Sequence, residues 1–211
     1  MKHLVTGFVK ITGAIPMWLL MKRKTYYANR KEQGRKIKGS GIIISNHKSM
    51  FDFPLMLCLF PLRRLHFLMA ELLYNRSKVF SWFLNMIGGI KVDRVSRDLS
   101  FVSEAVELLN KGKIVGIFPE GKLSTNNELS SFSPSIVYIA LKSGAPIIPI
   151  YCNGIYGFFK RTRVIIGEKI YLTDFTNNEV PDTKKLKELC LFLQSEILKL
   201  KLDMERQIEK D

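Results

Sequence analysis

The feature that most constrains the fold is a pair of apolar runs, residues 41–45 and 51–60, that flank a short polar turn. The first run is rich in β-branched residues and is typical of a buried strand, and the second is apolar over a length that suits a helix. In the turn, Ser49 is followed three residues later by Asp52, a spacing that resembles a capping box. The sequence therefore predicts a strand, a turn and a helix that begins at Ser49, with His47 in the loop before it.

His47 and Asp52 are the residues of this turn whose side chains can exchange or hold a proton. Residues five positions apart on a regular helix project about 140° apart, so the two side chains can meet only if His47 precedes the helix. A carboxylate that holds one ring nitrogen of a histidine leaves the other free to accept a proton from a hydroxyl. His47 is thus a candidate general base, with Asp52 as its orienting partner. A loop histidine is more often an ordinary surface residue, and this segment alone favours that interpretation.

Length and charge narrow the class of protein. A chain of 211 residues is long enough for one domain with a well-formed core. Its 33 Lys and Arg against 19 Asp and Glu give a formal net charge of +14. This charge favours polyanionic partners, which are nucleic acid, an anionic membrane surface or phosphorylated small molecules. The sequence has no helix-turn-helix, RNA-recognition or zinc pattern, so we expect no nucleic-acid partner.

Residues 1–30 are predicted to contact a membrane without crossing it. Residues 4–21 are mostly apolar, but Lys10 and Pro16 interrupt them, and the basic residues 22–24 follow at once. A spanning helix needs about 20 clean apolar residues and a signal peptide needs a small-residue cleavage site, and the segment has neither. An interfacial or re-entrant anchor at the cytoplasmic face of a membrane fits this pattern. The alternative is an amphipathic helix that packs on the domain's own core.

Residues 31–211 are predicted to form an α/β domain with a mixed central sheet flanked by helices, and residues 25–40 a polar, basic connector. Strands are predicted at 65–69, after Gly88 and Gly89, at 113–118, 146–151 and 164–166, and helices at 77–87, 97–111, 133–142 and from 184 onward. The last helix is long and amphipathic, and we expect it to pack on the domain or on a partner.

Single residues refine these elements. Ser77 is the predicted cap of its helix. Pro146 and Pro149 predict that their strand lies at a sheet edge or is bulged. The three cysteines, Cys58, Cys152 and Cys190, have neither metal-ligand spacing nor a disulfide framework, so we expect reduced thiols in a cytosolic compartment and no metal site.

Two further loops place charged residues after predicted strands. In one, the strand that follows Gly88 and Gly89 carries Lys91 and ends at Arg94. Arginine can grip a phosphate with two parallel hydrogen bonds, and Lys91 adds charge. An ordinary surface turn is the alternative for this segment.

The other loop, residues 118–124, contains Glu120 and Gly121. Backbone N–H groups beside a glycine can approach a ligand closely, because glycine has no side chain, and Glu120 is the acid of this turn. A plain turn is again the alternative.

Four blocks, residues 46–52, 89–94, 118–124 and 148–150, stand in one order along the chain. Together they resemble the glycerolipid acyltransferase family of lysophosphatidate acyltransferases, over roughly residues 40–155. The resemblance implies transfer of a fatty acyl chain from a thioester, acyl-CoA or acyl carrier protein, to the hydroxyl of a lysophospholipid acceptor. It also implies an α/β fold with a membrane-facing acyl tunnel, and neither a metal nor a bound cofactor.

The resemblance also implies a role for each candidate residue. His47 is the base and Asp52 its orienter, whereas the acceptor is bound by Lys91 and Arg94 at its phosphate and by Glu120 and Gly121 elsewhere. The family usually has Thr-Arg after Glu-Gly, where this chain has Lys122 and Leu123, and Lys122 is the substitute for the missing arginine. Acceptor identity therefore stays open between lysophosphatidate and a related lysophospholipid. A non-catalytic lipid-binding or membrane-scaffold protein is the rival interpretation.

Overall fold

A computed structural model describes residues 22–93, 99–124, 129–176 and 181–211. The strands are β1 Lys24–Tyr27, β2 Gly41–Ser45, β3 Leu65–Ala70, β4 Gly89–Val92, β5 Ile114–Ile117, β6 Ile147–Cys152 and β7 Arg163–Ile166. The α-helices are α1 Asp52–Leu59, α2 Glu71–Tyr74, α3 Lys78–Ile87, α4 Ser100–Asn110, α5 Ser135–Ser143 and α6 Thr183–Glu209, and Leu172–Phe175 form a 3-10 turn.

The strands form one mixed sheet in the order β1-β7-β6-β2-β5-β3-β4. Strands β6, β2, β5, β3 and β4 pair in parallel, β7 runs antiparallel to β6, and β1 is parallel to β7. The carboxyl ends of β2, β5 and β6 therefore meet at one edge of the sheet, where ligands bind in open α/β folds. The predicted α/β class with a mixed, helix-flanked sheet is confirmed.

Helices cover both faces of the sheet and divide the core into two clusters. Helices α4, α5 and α6 pack on one face, against residues such as Ile44 and Val115. Helices α1, α2 and α3 pack on the other, against Ile43 and Phe67. Neighbouring residues of β2 thus belong to opposite clusters, as the two-residue period of a strand requires, and both sides of β2 are buried.

Several predicted elements are confirmed. The Ser77 hydroxyl accepts a hydrogen bond from the Phe80 N–H at 3.0 Å and caps α3. Helix α6 buries an apolar stripe in the core, including Leu193 and Ile197, so it packs on its own domain. Among the described residues, no helix is both long enough and apolar enough to cross a membrane.

Helix α1 begins at Asp52, not at Ser49 as predicted. The Ser49 hydroxyl accepts from the Phe51 N–H at 3.2 Å, which makes a local turn instead of capping the helix. Asp52 still reaches back, because its carboxylate accepts from the Ser49 N–H at 2.8 Å. Of the two hydrogen bonds of the predicted capping box, the one from the Ser49 N–H to the Asp52 carboxylate is formed. It lies in the turn before the helix.

The prediction of a connector over residues 25–40 is wrong at its start, because β1 pairs with β7 from Lys24 to Tyr27. This strand belongs to the sheet, although it lies within the range 1–30 assigned to the membrane-contacting segment. Residues 4–21 of that segment lie outside the described residues.

Strand β6 lies between β7 and β2, and its register with β2 is unbroken from Ile147 to Ile150. The prediction of an edge or bulged strand is therefore wrong. The Pro149 carbonyl accepts from the Gly167 N–H at 2.9 Å, just beyond the end of β7. In a strand, the backbone N–H and C=O of one residue point to the same neighbouring strand. The nitrogen of Pro149 therefore faces the end of β7, and no hydrogen bond to β2 is lost. An interior strand therefore tolerates the proline.

The helix predicted at 97–111 forms, but it begins later than predicted. Helix α4 begins at Ser100, and Leu99 is 64% exposed before it. The stripe that is buried consists of Phe101, Val102, Ala105 and Leu109.

Candidate active site

The loop that carries His47 is fixed to the sheet by Asn46. The Asn46 side chain is buried at the carboxyl end of β2 and spans to β6. Its amide Nδ2 donates to the Cys152 carbonyl at 2.9 Å, and its Oδ1 accepts from the Cys152 N–H at 2.8 Å. This pair of bonds extends the β2–β6 ladder by one side chain and sets the point at which the loop leaves the sheet.

His47 and Asp52 lie together, with His47 Nδ1 3.1 Å from Asp52 Oδ2. A carboxylate only accepts hydrogen bonds, so Nδ1 is the donor and Nε2 is left as the acceptor. The Asp52 side chain is fully buried, whereas the His47 side chain is 18% exposed. The arrangement therefore pairs a partly exposed imidazole with a fully buried carboxylate.

Asp52 receives three donors besides the imidazole. Its Oδ2 accepts from the Lys48 N–H at 2.7 Å and the Ser49 N–H at 2.8 Å, and its Oδ1 accepts from the Tyr156 hydroxyl. Hydrogen bonds to an ionised acceptor are stronger than those between neutral groups. These bonds therefore hold the orientation of the carboxylate.

An aromatic stack supports the imidazole from behind. The ring of His47 stacks on Phe118 with centroids 4.1 Å apart and planes 14° apart. Phe118 in turn stacks on Phe67 at 5.6 Å, and Phe67 meets Phe53 edge-on at 5.1 Å. A Cβ on Gly116 would lie 2.4 Å from the Phe67 ring, so the glycine of β5 makes room for this stack.

Glu120 holds the backbone of His47. Its Oε1 accepts from the His47 N–H at 3.0 Å and its Oε2 from the Ser130 N–H at 2.9 Å, and the residue is only 8% exposed. The Ser124 N–H donates to the His47 carbonyl at 2.7 Å. The loop at 118–124 therefore binds both the backbone N–H and the carbonyl of His47. Gly121 and Lys122 lie in the same loop, with Gly121 at φ +69° and Lys122 exposed.

Lys91 lies away from this centre. It is on β4, which is separated from β2 by β5 and β3, so three inter-strand spacings or roughly 14 Å divide their backbones. Lys91 Nζ is 2.7 Å from Glu71 Oε1 in an exposed ion pair. Arg94 lies outside the described residues.

A cavity of about 300 Å³ lies beside the His47 loop, lined in part by Lys48, Tyr151 and Lys201. Lys48 Nζ is 3.3 Å from the Tyr151 hydroxyl, and Tyr151 belongs to the core cluster under α4, α5 and α6. The ring of His47 contacts Phe118, which packs on the other cluster. Tyr151, which lines the cavity, and Phe118, which contacts the imidazole, therefore pack against opposite faces of the sheet.

Two buried groups next to Asp52 keep their protons. Burial, helped by the charge of Asp52, raises the pKa of the Cys152 thiol to about 12. Burial first, and then Cys152 and Asp52, raises the pKa of the Tyr156 hydroxyl far above its ordinary value. Tyr156 therefore stays neutral and remains a donor to the carboxylate.

The sequence did not predict that Asn46 bridges β2 and β6 or that Glu120 accepts from the His47 N–H. It also did not identify Tyr156. Each acts across a long sequence separation, and the partners of Asn46 and Tyr156 are 106 and 104 positions away. The only local signal was the position of Asn46 and Glu120 at predicted strand ends. Tyr156 had no such signal.

The comparison with protein families decides which family this site belongs to. The model of the family described as Acyltransferase matches residues 17–153, well over half of the chain. The chain belongs to this acyltransferase family. The matched range includes His47, Asp52 and Glu120 and ends before Tyr156.

Similar proteins carry one activity in their names. The chain is 30% identical over 147 residues to the 1-acyl-sn-glycerol-3-phosphate acyltransferase of Bacillus subtilis (strain 168), covering 66% of this chain and 71% of that protein. It is 26% identical over 163 residues to the chloroplastic enzyme BAT2 of Brassica napus, covering 69% and 46%. It is 24% identical over 147 residues to the human beta enzyme of the same name, covering 67% and 53%. It thus spans about half the length of the last two relatives.

A solved structure shares the fold of this acyltransferase-family chain. The crystal structure of the 1-acyl-sn-glycerophosphate (LPA) acyltransferase PlsC from Thermotoga maritima matches with a TM-score of 0.64 and 20% identity. The match covers 98% of this chain and 79% of that one. At this identity the similarity concerns the fold.

Proposed function

We propose that this chain is an O-acyltransferase of phospholipid biosynthesis, which moves a fatty acyl chain from a thioester to the hydroxyl of lysophosphatidate or a related lysophospholipid. The observation that carries the proposal is the hydrogen bond of His47 Nδ1 to the buried Asp52, inside the matched range of the family. The names of the similar proteins support the acceptor. The donor is acyl-CoA or acyl carrier protein.

In the proposed reaction, His47 Nε2 takes the proton of the acceptor hydroxyl as its oxygen attacks the thioester carbonyl. The oxygen–carbon bond forms and a tetrahedral oxyanion results. The carbon–sulfur bond then breaks, and the leaving thiolate recovers the proton from the imidazolium. Asp52 stabilises the imidazolium between these steps. The proton passes from the acceptor hydroxyl to the imidazole and then to the thiolate. The proposal therefore requires neither a metal nor a bound cofactor.

We assign the phosphate of the acceptor to Arg94 and Lys91, with Glu120, Gly121 and Lys122 lining the acceptor site. These assignments rest on the family resemblance, because Arg94 lies outside the described residues. The Lys91–Glu71 ion pair is exposed, so a phosphate can compete for the ammonium at little cost. If Arg94 holds the phosphate through charge-assisted bonds, Arg94→Ala should lower kcat/KM for a phosphorylated acceptor by roughly ten- to a hundred-fold.

We further propose that the protein works at the cytoplasmic face of a phospholipid membrane, held by residues 1–30 and by an exposed apolar surface. This surface, here called the aromatic loop surface, consists of Met50, Phe51, Ile155, Phe158 and Phe159. Phe159 is 93% exposed, and Lys22 Nζ lies 5.2 Å from the centroid of the Phe158 ring. Exposed aromatic rings beside cations suit the headgroup region of an anionic membrane. The surface begins three residues after His47, which brings lipid substrates to the site.

Purified protein incubated with radiolabelled acyl-CoA, or acyl carrier protein, and a panel of lysolipids tests the function. We expect transfer to lysophosphatidate or a related lysophospholipid, and a loss of about a hundred- to ten-thousand-fold in His47→Ala. His66→Gln, a histidine of β3 that lies outside the site, is the matched control. Normal turnover in a folded His47→Ala protein would show that His47 is not the general base. Lipid binding without transfer in the wild type would favour the non-catalytic scaffold.

A further inference from the structure

The side chain of Tyr156 joins Asp52 to the loop after β6. Its hydroxyl donates to Asp52 Oδ1 and lies 3.3 Å from Cys152 Sγ. Its ring packs against Phe51 with centroids 5.6 Å apart. The phenol is thus held on two sides, by a buried thiol and by an aromatic ring, and its hydrogen points at the carboxylate.

The two oxygens of Asp52 have different partners. Oδ2 takes all the bonds from the His47 loop, which are those from the imidazole and from the N–H groups of Lys48 and Ser49. The only donor that the described residues offer to Oδ1 is Tyr156. A carboxylate turns about its Cβ–Cγ bond, and this rotation moves both oxygens together. The Tyr156 bond holds Oδ1 from a separate loop, so it adds to the restraint that the donors on Oδ2 place on that rotation.

We infer that Tyr156 is a positioning residue for the proposed acyl transfer: it holds Asp52 so that Oδ2 keeps Nδ1 of His47 as the donor and Nε2 as the acceptor. The inference rests on the proposed function only for its kinetic consequence. In this role Tyr156 keeps its proton and acts through Asp52. It lies beyond the family match, which ends at residue 153, so this contact belongs to the described fold and not to the matched motifs.

Tyr156→Phe tests the inference, because it removes the hydroxyl and keeps the ring against Phe51. We expect kcat to fall by roughly ten- to a hundred-fold, the worth of one hydrogen bond to a charged group, with KM for donor and acceptor unchanged. Tyr138→Phe is the matched control, since Tyr138 lies on α5 and is 37% exposed. A 3-fluorotyrosine at position 156 retains the hydroxyl and should restore most of kcat.

A double-mutant cycle separates positioning from simple support of the fold. If Tyr156 acts through Asp52, then Tyr156→Phe should cost little further activity in an Asp52→Asn protein, since the carboxylate it holds is gone. Equal losses in both backgrounds would overturn the inference. So would an unchanged kcat in Tyr156→Phe, or a loss of kcat that only follows the fraction of unfolded protein.

A measurement without turnover keeps this result distinct from the fate of the proposed function. In protein labelled with 15N in its histidine rings, we expect His47 to be protonated at Nδ1, and the share of that tautomer to fall in Tyr156→Phe but not in Tyr138→Phe. An unchanged His47 spectrum in Tyr156→Phe would overturn the inference. Absence of transfer by the wild type, with the spectral change present, would instead overturn the proposed function and leave the positioning intact.

Discussion

Glu120 binds no charged group among its described contacts, and yet it connects two loops. Its carboxylate accepts from the N–H of His47 with one oxygen and from the N–H of Ser130 with the other. A buried carboxylate that accepts a hydrogen bond at each oxygen has a partner for both acceptors. The family resemblance assigned Glu120 to the acceptor site, and its contacts add a role in holding the general base by the backbone.

Glu120→Gln should therefore destabilise the fold. The amide has one acceptor oxygen, and its NH₂ group would face one of the two backbone N–H groups, which would lose its partner. We expect the free energy of unfolding, measured in urea, to fall by about 1–3 kcal/mol, and kcat to fall because the His47 peptide shifts. Glu107→Gln is the control, since its ion pair with Lys111 is exposed and worth little. An equal effect of the two substitutions would show that Glu120 does not hold the loop.

The contacts of single residues were predictable only where they were local. His47 and Asp52 are five positions apart, and the rule that both cannot lie on one helix was enough to bring them together in a turn. Glu120 meets His47 across 73 positions, and its partner is a backbone N–H that any residue could supply. No pattern of side chains along the sequence indicates such a hydrogen bond. Tyr156 has the same difficulty, since one tyrosine in an aromatic, basic segment predicts no particular acceptor.

Two loops define the site, the one from Asn46 to Phe51 and the one from Asn153 to Arg161, and they touch at Gly154. Gly154 has φ +70°, and a Cβ placed on it would lie 2.6 Å from the Cβ of Lys48. No real side chain tolerates that distance, so one loop would have to move. The glycine is needed both for its backbone conformation and for its missing side chain.

Replacing this glycine tests how closely the loops are coupled. Gly144, the cap of α5, has a similar φ of +62° and open space around its missing Cβ. Gly144→Ala should cost only the strain of a left-handed alanine, about 1–2 kcal/mol. Gly154→Ala should cost clearly more and should lower kcat, because Lys48 is next to His47. We would measure urea unfolding and transfer for both. A loss in Gly154→Ala no larger than in Gly144→Ala would mean that the loops yield freely.

Elements were predictable where the pattern was long or repeated. Helix α6 and the strands β2 and β5 follow from their apolar periodicity. Strand β1 did not, because its four residues, Lys24–Tyr27, include one cation and two amphipathic tyrosines and become a strand only by pairing with β7. Strand β6 was predicted at an edge or bulged because of Pro146 and Pro149. That local rule failed because the N–H that Pro149 lacks would face the end of β7. Sheet order depends on partners far along the chain.

The formal charge of +14 acts on the whole molecule and should strengthen its binding to anionic membranes. We expect flotation with anionic liposomes, which weakens in about 1 M salt, where the screening length is about 3 Å. Replacing both Phe158 and Phe159 with Ser should weaken flotation, whereas Leu191→Ser, an exposed leucine of α6, should not. Deleting residues 1–21 should weaken it further. If the Phe158/Phe159 variant floats like the wild type, the aromatic loop surface does not bind lipid.

Stability should fall at alkaline pH, because several buried groups hold their protons more tightly in the fold than in the unfolded chain. Burial raises the pKa of Cys152, Tyr151 and Tyr74 to about 12 in each case, and that of Tyr156 further. Above about pH 9 the unfolded chain releases these protons while the folded chain retains them, so the unfolded state binds fewer protons and is favoured as the pH rises. The stability is fully present below that pH and is lost progressively above it.

Urea unfolding measured from about pH 8 to about pH 11 checks this dependence. We expect the free energy of unfolding to decrease steadily across the range in the wild type. The decrease should be shallower when Cys152→Ala and Tyr156→Phe are combined, since two of the raised groups are then absent. A flat dependence in the wild type would mean that these groups become solvated within the native state. The proton on Tyr156, and with it the bond to Asp52, would then be lost before the protein unfolds.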